Sequence, residues 1–145
     1  MKKIRILHIV LIALTILTLT SIAATGNRQF TISLTGPAEV PPGDPDGTGT
    51  ATITLNRFHG TVCWEIRVSG ITLPATGAHI HEAPVGVAGP IVVPLSAPDG
   101  HGLASGCTTV STEEVRDIIR HPDQYYVNVH NTDYPSGAVR GQLSK

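Results

Sequence analysis

From about residue 30 onward, apolar and polar residues alternate in short runs, and the alternation marks strands. In "FTISL", Phe30, Ile32 and Leu34 share one side while Thr31 and Ser33 take the other, the period of a half-buried strand. "TATITL" repeats it with Ala51, Ile53 and Leu55 inward. "TVCWEIRVSG" puts Val62, Trp64, Ile66 and Val68 on the core face, with Cys63, Glu65 and Arg67 opposite. "GAHIHEA", "GPIVVPL", "ASGCTTV", "YYVNVHN" and "AVRGQL" read as further strands. Between them lie Gly-, Pro- and Asp-rich turns such as "GPAEVPPGDPDGTG".

One segment has a helical period. "STEEVRDIIRHP" carries Val115, Ile118 and Ile119 as an apolar stripe and stops at Pro122. Ser111 and Glu114 have the spacing of a capping box, with Val110 and Val115 placed as its hydrophobic staple. About eight short strands with frequent turns and one short helix predict an all-β domain, an antiparallel Greek-key β-sandwich or barrel.

The last two strands make a sharper prediction. Tyr125, Val127 and Val129 are the apolar side of "YYVNVH", and Tyr126, Asn128 and His130 the polar side. Val139, Gly141 and Leu143 are the apolar side of the next strand, with Arg140 and Gln142 opposite. Residues facing each other in an antiparallel pair point to the same side. Odd positions therefore pair with odd, and the loop holds an odd number of residues, three or five around Tyr134–Ser136. Arg140 then lies close to His130 or Asn128.

The N-terminus bears on compartment. "MKKIR" is basic, "ILHIVLIALTILTLTS" is apolar, and "SIA" ends in small residues. This is the pattern of a secretory signal peptide over residues 1–23; a retained anchor is the alternative. Cleavage after Ala23 leaves residues 24–145 as one domain in a secreted or periplasmic, extracytoplasmic location, with no membrane contact thereafter. Lys2, Lys3 and Arg5 leave with the signal, so seven basic residues face eleven acidic ones, a net charge of −4. Without a basic run, nucleic acid is excluded as a partner. The two cysteines, Cys63 and Cys107, are expected to form one disulfide in an oxidising compartment, outside the main core or in a smaller second one.

The candidate chemistry is histidine chemistry. His79 and His81 are two apart, which in a strand puts both imidazoles on one face, within about 7 Å. His130 sits on the polar face of another strand. Three imidazoles are the donors expected for copper or zinc, so His79, His81 and His130 are candidate metal ligands. Asn128 and Arg140 complete a polar site, and a guanidinium there opposes a cation. In the alternative, the histidines hydrogen-bond to neighbouring loops and fix the turn after them. His101 is a candidate fourth ligand, and His121 complements the helix dipole. No Gly-x-Ser-x-Gly elbow or phosphate-binding glycine loop is present.

"AEVPP", "AHIH", "GVAGPIVVPL", the two cysteines, "HPDQYYVNVHN" and "YPSGAVRGQL" occur in an order that resembles the CHRD (chordin-type) domain, from Phe30 to Leu143. Glu82 and Ala83 depart from the basic residue and glycine that the family more often has after the histidine pair. The resemblance implies an immunoglobulin-like β-barrel with a distant likeness to copper/zinc superoxide dismutase. Carried across, the dismutase pattern makes His79, His81 and His130 possible copper ligands and likens Arg140 to an anion-guiding arginine; His101 and Asp123 are poor substitutes for a zinc subsite. The expected function is a non-enzymatic binding or structural role at the cell envelope or outside the cell, as a monomer, with an unknown protein or envelope partner. The alternative is a copper- or zinc-binding metalloprotein.

Overall fold

The computed structural model describes residues 26–144; the predicted signal peptide lies outside them. The eight strands are β1 (Asn27–Thr35), β2 (Thr48–Asn56), β3 (Thr61–Ser69), β4 (Gly77–Glu82), β5 (Ile91–Leu95), β6 (Leu103–Thr109), β7 (Tyr125–His130) and β8 (Val139–Gln142). One α-helix, α1 (Thr112–Arg120), joins β6 to the last hairpin. The strands form one sheet in the order β5-β4-β7-β8-β1-β2-β3-β6, every pairing antiparallel. The fold is all-β, as the alternation predicts, and the sheet curls into a nearly closed barrel.

Side-chain size explains how it curls. The β1–β8 seam holds a single paired position, Thr35 with Arg140. Beside it a side chain on Gly141 would sit 2.2 Å from the Ser33 carbonyl oxygen, so only glycine admits this approach. The two edge strands meet through Ser96, just after β5. Its hydroxyl accepts from Trp64 Nε1 (2.9 Å) and donates to the Ser105 carbonyl of β6 (3.4 Å).

The inward residues are those that the alternation marks. Phe30, Ile32, Leu34, Ala51, Ile53, Leu55, Val62, Trp64, Ile66 and Val68 are all buried in one cluster with Ile80, Val93, Val127, Val129 and Leu143. Burying such aliphatic side chains contributes about 1.5–3 kcal/mol each. Helix α1 adds Val115 and Ile118 to the cluster. Cys63 and Cys107 face each other across β3 and β6 and are bonded. Cys107 is exposed, so the disulfide lies outside the core and pins the edge strand β6.

Two expectations are corrected. Val129 and Val139 are the last pair of the β7–β8 hairpin, so residues 130–138 connect them. Their number is odd, as parity requires, but larger than three or five. The connection makes its own turn: Asn131 Oδ1 accepts from Tyr134 N (2.7 Å), and Gly137 N donates to Tyr134 O (3.1 Å). The capping box is half made. Ser111 Oγ accepts from Glu114 N (3.0 Å), but Glu114 Oε1 has no partner and its carboxyl faces Glu82 and Asp117. On the polar face of β7, Tyr126 and Asn128 are buried. The segment 83–90 folds back over it, because the buried side chains beneath hold its carbonyls.

Candidate metal centre

The histidines are placed by the pairing of β4 with β7. Gly77 pairs with His130, His79 with Asn128 and His81 with Tyr126. Paired residues share a face, so the small Gly77 leaves room beside His130 for the His79 ring. Asn128 pairs in turn with Arg140. One row across three strands therefore reads His79, Asn128, Arg140, and the next reads His81, Tyr126, Gln142.

His79, His81 and His130 each offer one ring nitrogen to a common point, the three nitrogens lying within 4.8 Å of one another. His79 Nδ1 and His130 Nε2 are 3.1 Å apart. Two nitrogens each about 2.0–2.1 Å from one ion stand roughly 3.0–3.4 Å apart, so this pair is already at a chelating separation.

The outer nitrogens fix the tautomers. His81 Nδ1 lies 2.9 Å from the Gly89 carbonyl and His130 Nδ1 lies 3.0 Å from the Pro135 carbonyl. A carbonyl only accepts, so both Nδ1 atoms carry the proton and both Nε2 atoms carry lone pairs. His79 Nδ1 then donates to His130 Nε2. His81 Nε2 is buried with no partner, which costs about 1–3 kcal/mol for a polar group. A metal-binding imidazole whose other nitrogen donates to a backbone carbonyl is the usual support for such a ligand.

The electrostatics favour the neutral form of His79 and His130. Burial, then the neighbouring His130 and His81, holds His79 down at about 4. Burial also lowers His130, against the Pro135 carbonyl, which raises it.

Arg140 is not part of the cluster. It is 2 % exposed and donates to the carbonyls of Val87 (2.8 Å) and Pro84 (2.9 Å) and to Gln142 Oε1 (3.1 Å). Its guanidinium lies 3.4 Å over the Tyr126 ring, and His81 stacks on the same ring at 4.8 Å. Strand β7 runs between β4 and β8, so Tyr126 separates the cation from the imidazole. The hydrogen bonds of the guanidinium go to segment 83–90 and Gln142 rather than to the three imidazoles.

His101 and Asp123 are not in the group that converges among the described residues. Asp99 Oδ1 accepts from His101 N (2.8 Å) in its own turn. His121 lies at the end of α1, 3.9 Å from Asp117.

A match to the CHRD domain family covers residues 30–143. The chain belongs to the CHRD domain family. No curated protein and no solved structure gave a match. In this CHRD domain the motifs that carry the resemblance fall together in space. "AHIH" and "YYVNVHN" are the two strands of the histidine cluster. "GVAGP" is the segment over it, and "AVRGQL" supplies the arginine and glutamine beneath.

Sequence reasoning missed Glu39, Tyr126 and Gln142. Glu39, in "AEVPP", is 4 % exposed. Burial pushes its carboxyl up to about 7, against the opposing pull of Arg140 and an Asn128 hydrogen bond. A side chain at Gly137 would lie 2.3 Å from its Oε1. Tyr126 could have been found: an aromatic ring on the polar side of a strand is a mismatch that a second buried layer resolves.

Proposed function

We propose that this CHRD domain is an extracytoplasmic metal-binding module that holds one copper or zinc ion on His79 Nδ1, His81 Nε2 and His130 Nε2. The observation that carries the reading is the buried, unpartnered His81 Nε2, on a ring that forms with His79 and His130 a group offering one nitrogen each within 4.8 Å of one another. Three nitrogen donors with backbone-anchored tautomers suit Cu(II) or Zn(II), with Cu(II) bound more tightly. To hold an ion through Nδ1, His79 would carry its proton on Nε2 instead, so that binding would release no net proton from this ring. An ion held there would supply positive charge and Lewis acidity.

The role is binding rather than catalysis, outside the cytoplasm, by a monomer. The signal-like sequence of residues 1–23 and the Cys63–Cys107 bond support the location. Among the described residues, no helix is long and apolar enough to cross a membrane.

Elemental analysis of the full chain expressed with its leader and recovered from outside the cytoplasm tests the reading. One equivalent of copper or zinc per chain is expected. Metal-free protein that takes up neither ion overturns it. Robust superoxide dismutation by metal-loaded protein, cleared of excess copper, overturns the non-catalytic part.

A further inference from the structure

Segment 83–90 is held in an unusual way. Ala83 at its start is buried, but its tip exposes Val85 (76 %) and Val87 (48 %), so burial of apolar side chains does not fix the tip. Instead, side chains of the sheet beneath grip its backbone. Arg140 donates to Pro84 O and Val87 O, and Gln142 Nε2 donates to Ala83 O (2.7 Å). Tyr126 OH accepts from Gly89 N (3.2 Å), and the His81 Nδ1–H donates to Gly89 O. Removing a guanidinium from water costs several kcal/mol. A buried arginine is therefore a costly way to order a surface loop, unless the order of that loop matters elsewhere.

The histidine cluster is where it matters. Gly89 hydrogen-bonds a proposed ligand, through the carbonyl that sets the His81 tautomer and ring orientation. Should the segment open, His81 Nδ1 loses its acceptor and the ring is free to turn its Nε2 away from His79 and His130. Arg140 reaches His81 by two routes, through this segment and through the Tyr126 ring on which both lie; Gly89 belongs to the first alone.

Resting on the metal reading above, we propose that segment 83–90 is the positioning device of the histidine site, and that Arg140 is a positioning residue that sets metal affinity through it. Coupling of this kind is reciprocal. If the closed segment raises metal affinity, a bound metal must favour the closed segment by the same factor. Metal occupancy therefore fixes the exposed Val85–Val87 tip.

The experiment is hydrogen exchange on the full chain with and without saturating Zn(II), with Zn(II) affinity measured alongside. The amides of Val87 and Gly89, which donate to Pro84 O and Tyr126 OH, are expected to exchange about 10-fold or more slowly with zinc bound, the lower end of what supporting hydrogen bonds contribute to metal affinity. Arg140→Gln is expected to weaken Zn(II) binding by about 10–100-fold. Gly89→Ala provides a second variant in case Arg140→Gln does not fold. Its new Cβ would lie 1.9 Å from the Glu82 carbonyl oxygen, so it shifts the Gly89 carbonyl from a position outside the core. It too is expected to lower affinity; because the clash is with backbone its unfolding midpoint falls as well, so affinity is read at a temperature where the metal-free variant is fully folded. Zinc binding with unchanged exchange at Val87 and Gly89, or unaltered affinity in Gly89→Ala, overturns the coupling and leaves the metal reading standing. Absence of zinc and copper binding in the parent chain overturns the metal reading itself.

Discussion

His79 Nδ1 and His130 Nε2 lie 3.1 Å apart, and one proton is shared between them. Because His130 Nδ1 already donates to Pro135 O, that proton belongs to His79. Burial and two neighbouring imidazoles hold His79 at about 4 against the ordinary 6.5. The folded state thus favours the neutral ring. Its contribution to stability is complete above pH 6.5 and is lost as pH falls from 6.5 through 4. Nitrogen-resolved NMR of the metal-free protein is expected to show His79 neutral at pH 5.5. A normal titration midpoint near 6.5 would contradict the geometry.

Glu39 has the opposite sign. Its carboxyl is raised from 4.5 to about 7 by burial, so the fold favours the protonated form. The associated stability is complete below pH 4.5 and declines as pH rises from 4.5 through 7. Glu39→Gln keeps the shape without the ionisation. The difference in thermal midpoint between variant and parent is expected to move in favour of the variant as pH goes from 5 to 8. A constant difference across that range would show that Glu39 does not ionise there.

Gly137 has φ of 142° and leaves room for the Glu39 carboxylate, which a methyl group would meet at 2.3 Å. Gly137→Ala is expected to destabilise by about 2 kcal/mol or more, through backbone strain and displacement of a buried acid. Urea denaturation measures it. A change under about 0.5 kcal/mol, the range of ordinary surface substitutions, would mean that the loop relaxes freely.

The strands were legible in the sequence because each has one wet and one dry side. Phe30, Ile32 and Leu34 alternate with threonine and serine, and so do Ala51, Ile53 and Leu55. The histidine pair was legible for the same reason, since a spacing of two admits only one face. The burial of Tyr126, Asn128 and Arg140 was not. Local alternation marks these residues as polar-side, and only the return of segment 83–90 over them makes a second, polar interior. That return depends on hydrogen bonds between residues more than 50 positions apart, such as Arg140 to Val87. The length of the 130–138 connection was hidden too, because parity fixes odd or even and not how far a chain runs before it pairs.

The disulfide links residues 44 apart and pins an edge strand. In the chain-entropy model such a loop contributes about 3–4 kcal/mol. Reduction is expected to lower unfolding free energy by that amount, with both cysteines then open to labelling. Mass spectrometry of the unreduced, denatured protein should find neither thiol free. Labelling of both thiols in that sample would rule the bond out.

The central claim is that three imidazoles from β4 and β7 share one ion. Calorimetric titration of the metal-free chain with Cu(II) and with Zn(II), set beside a His79→Ala/His81→Ala variant, tests it most directly. The account predicts one equivalent of either ion, copper tighter than zinc, and a loss of about 100-fold or more in the variant, since a single remaining imidazole cannot chelate. Equal, weak binding by both proteins would contradict it, and would make the histidines a hydrogen-bonded clamp on segment 83–90.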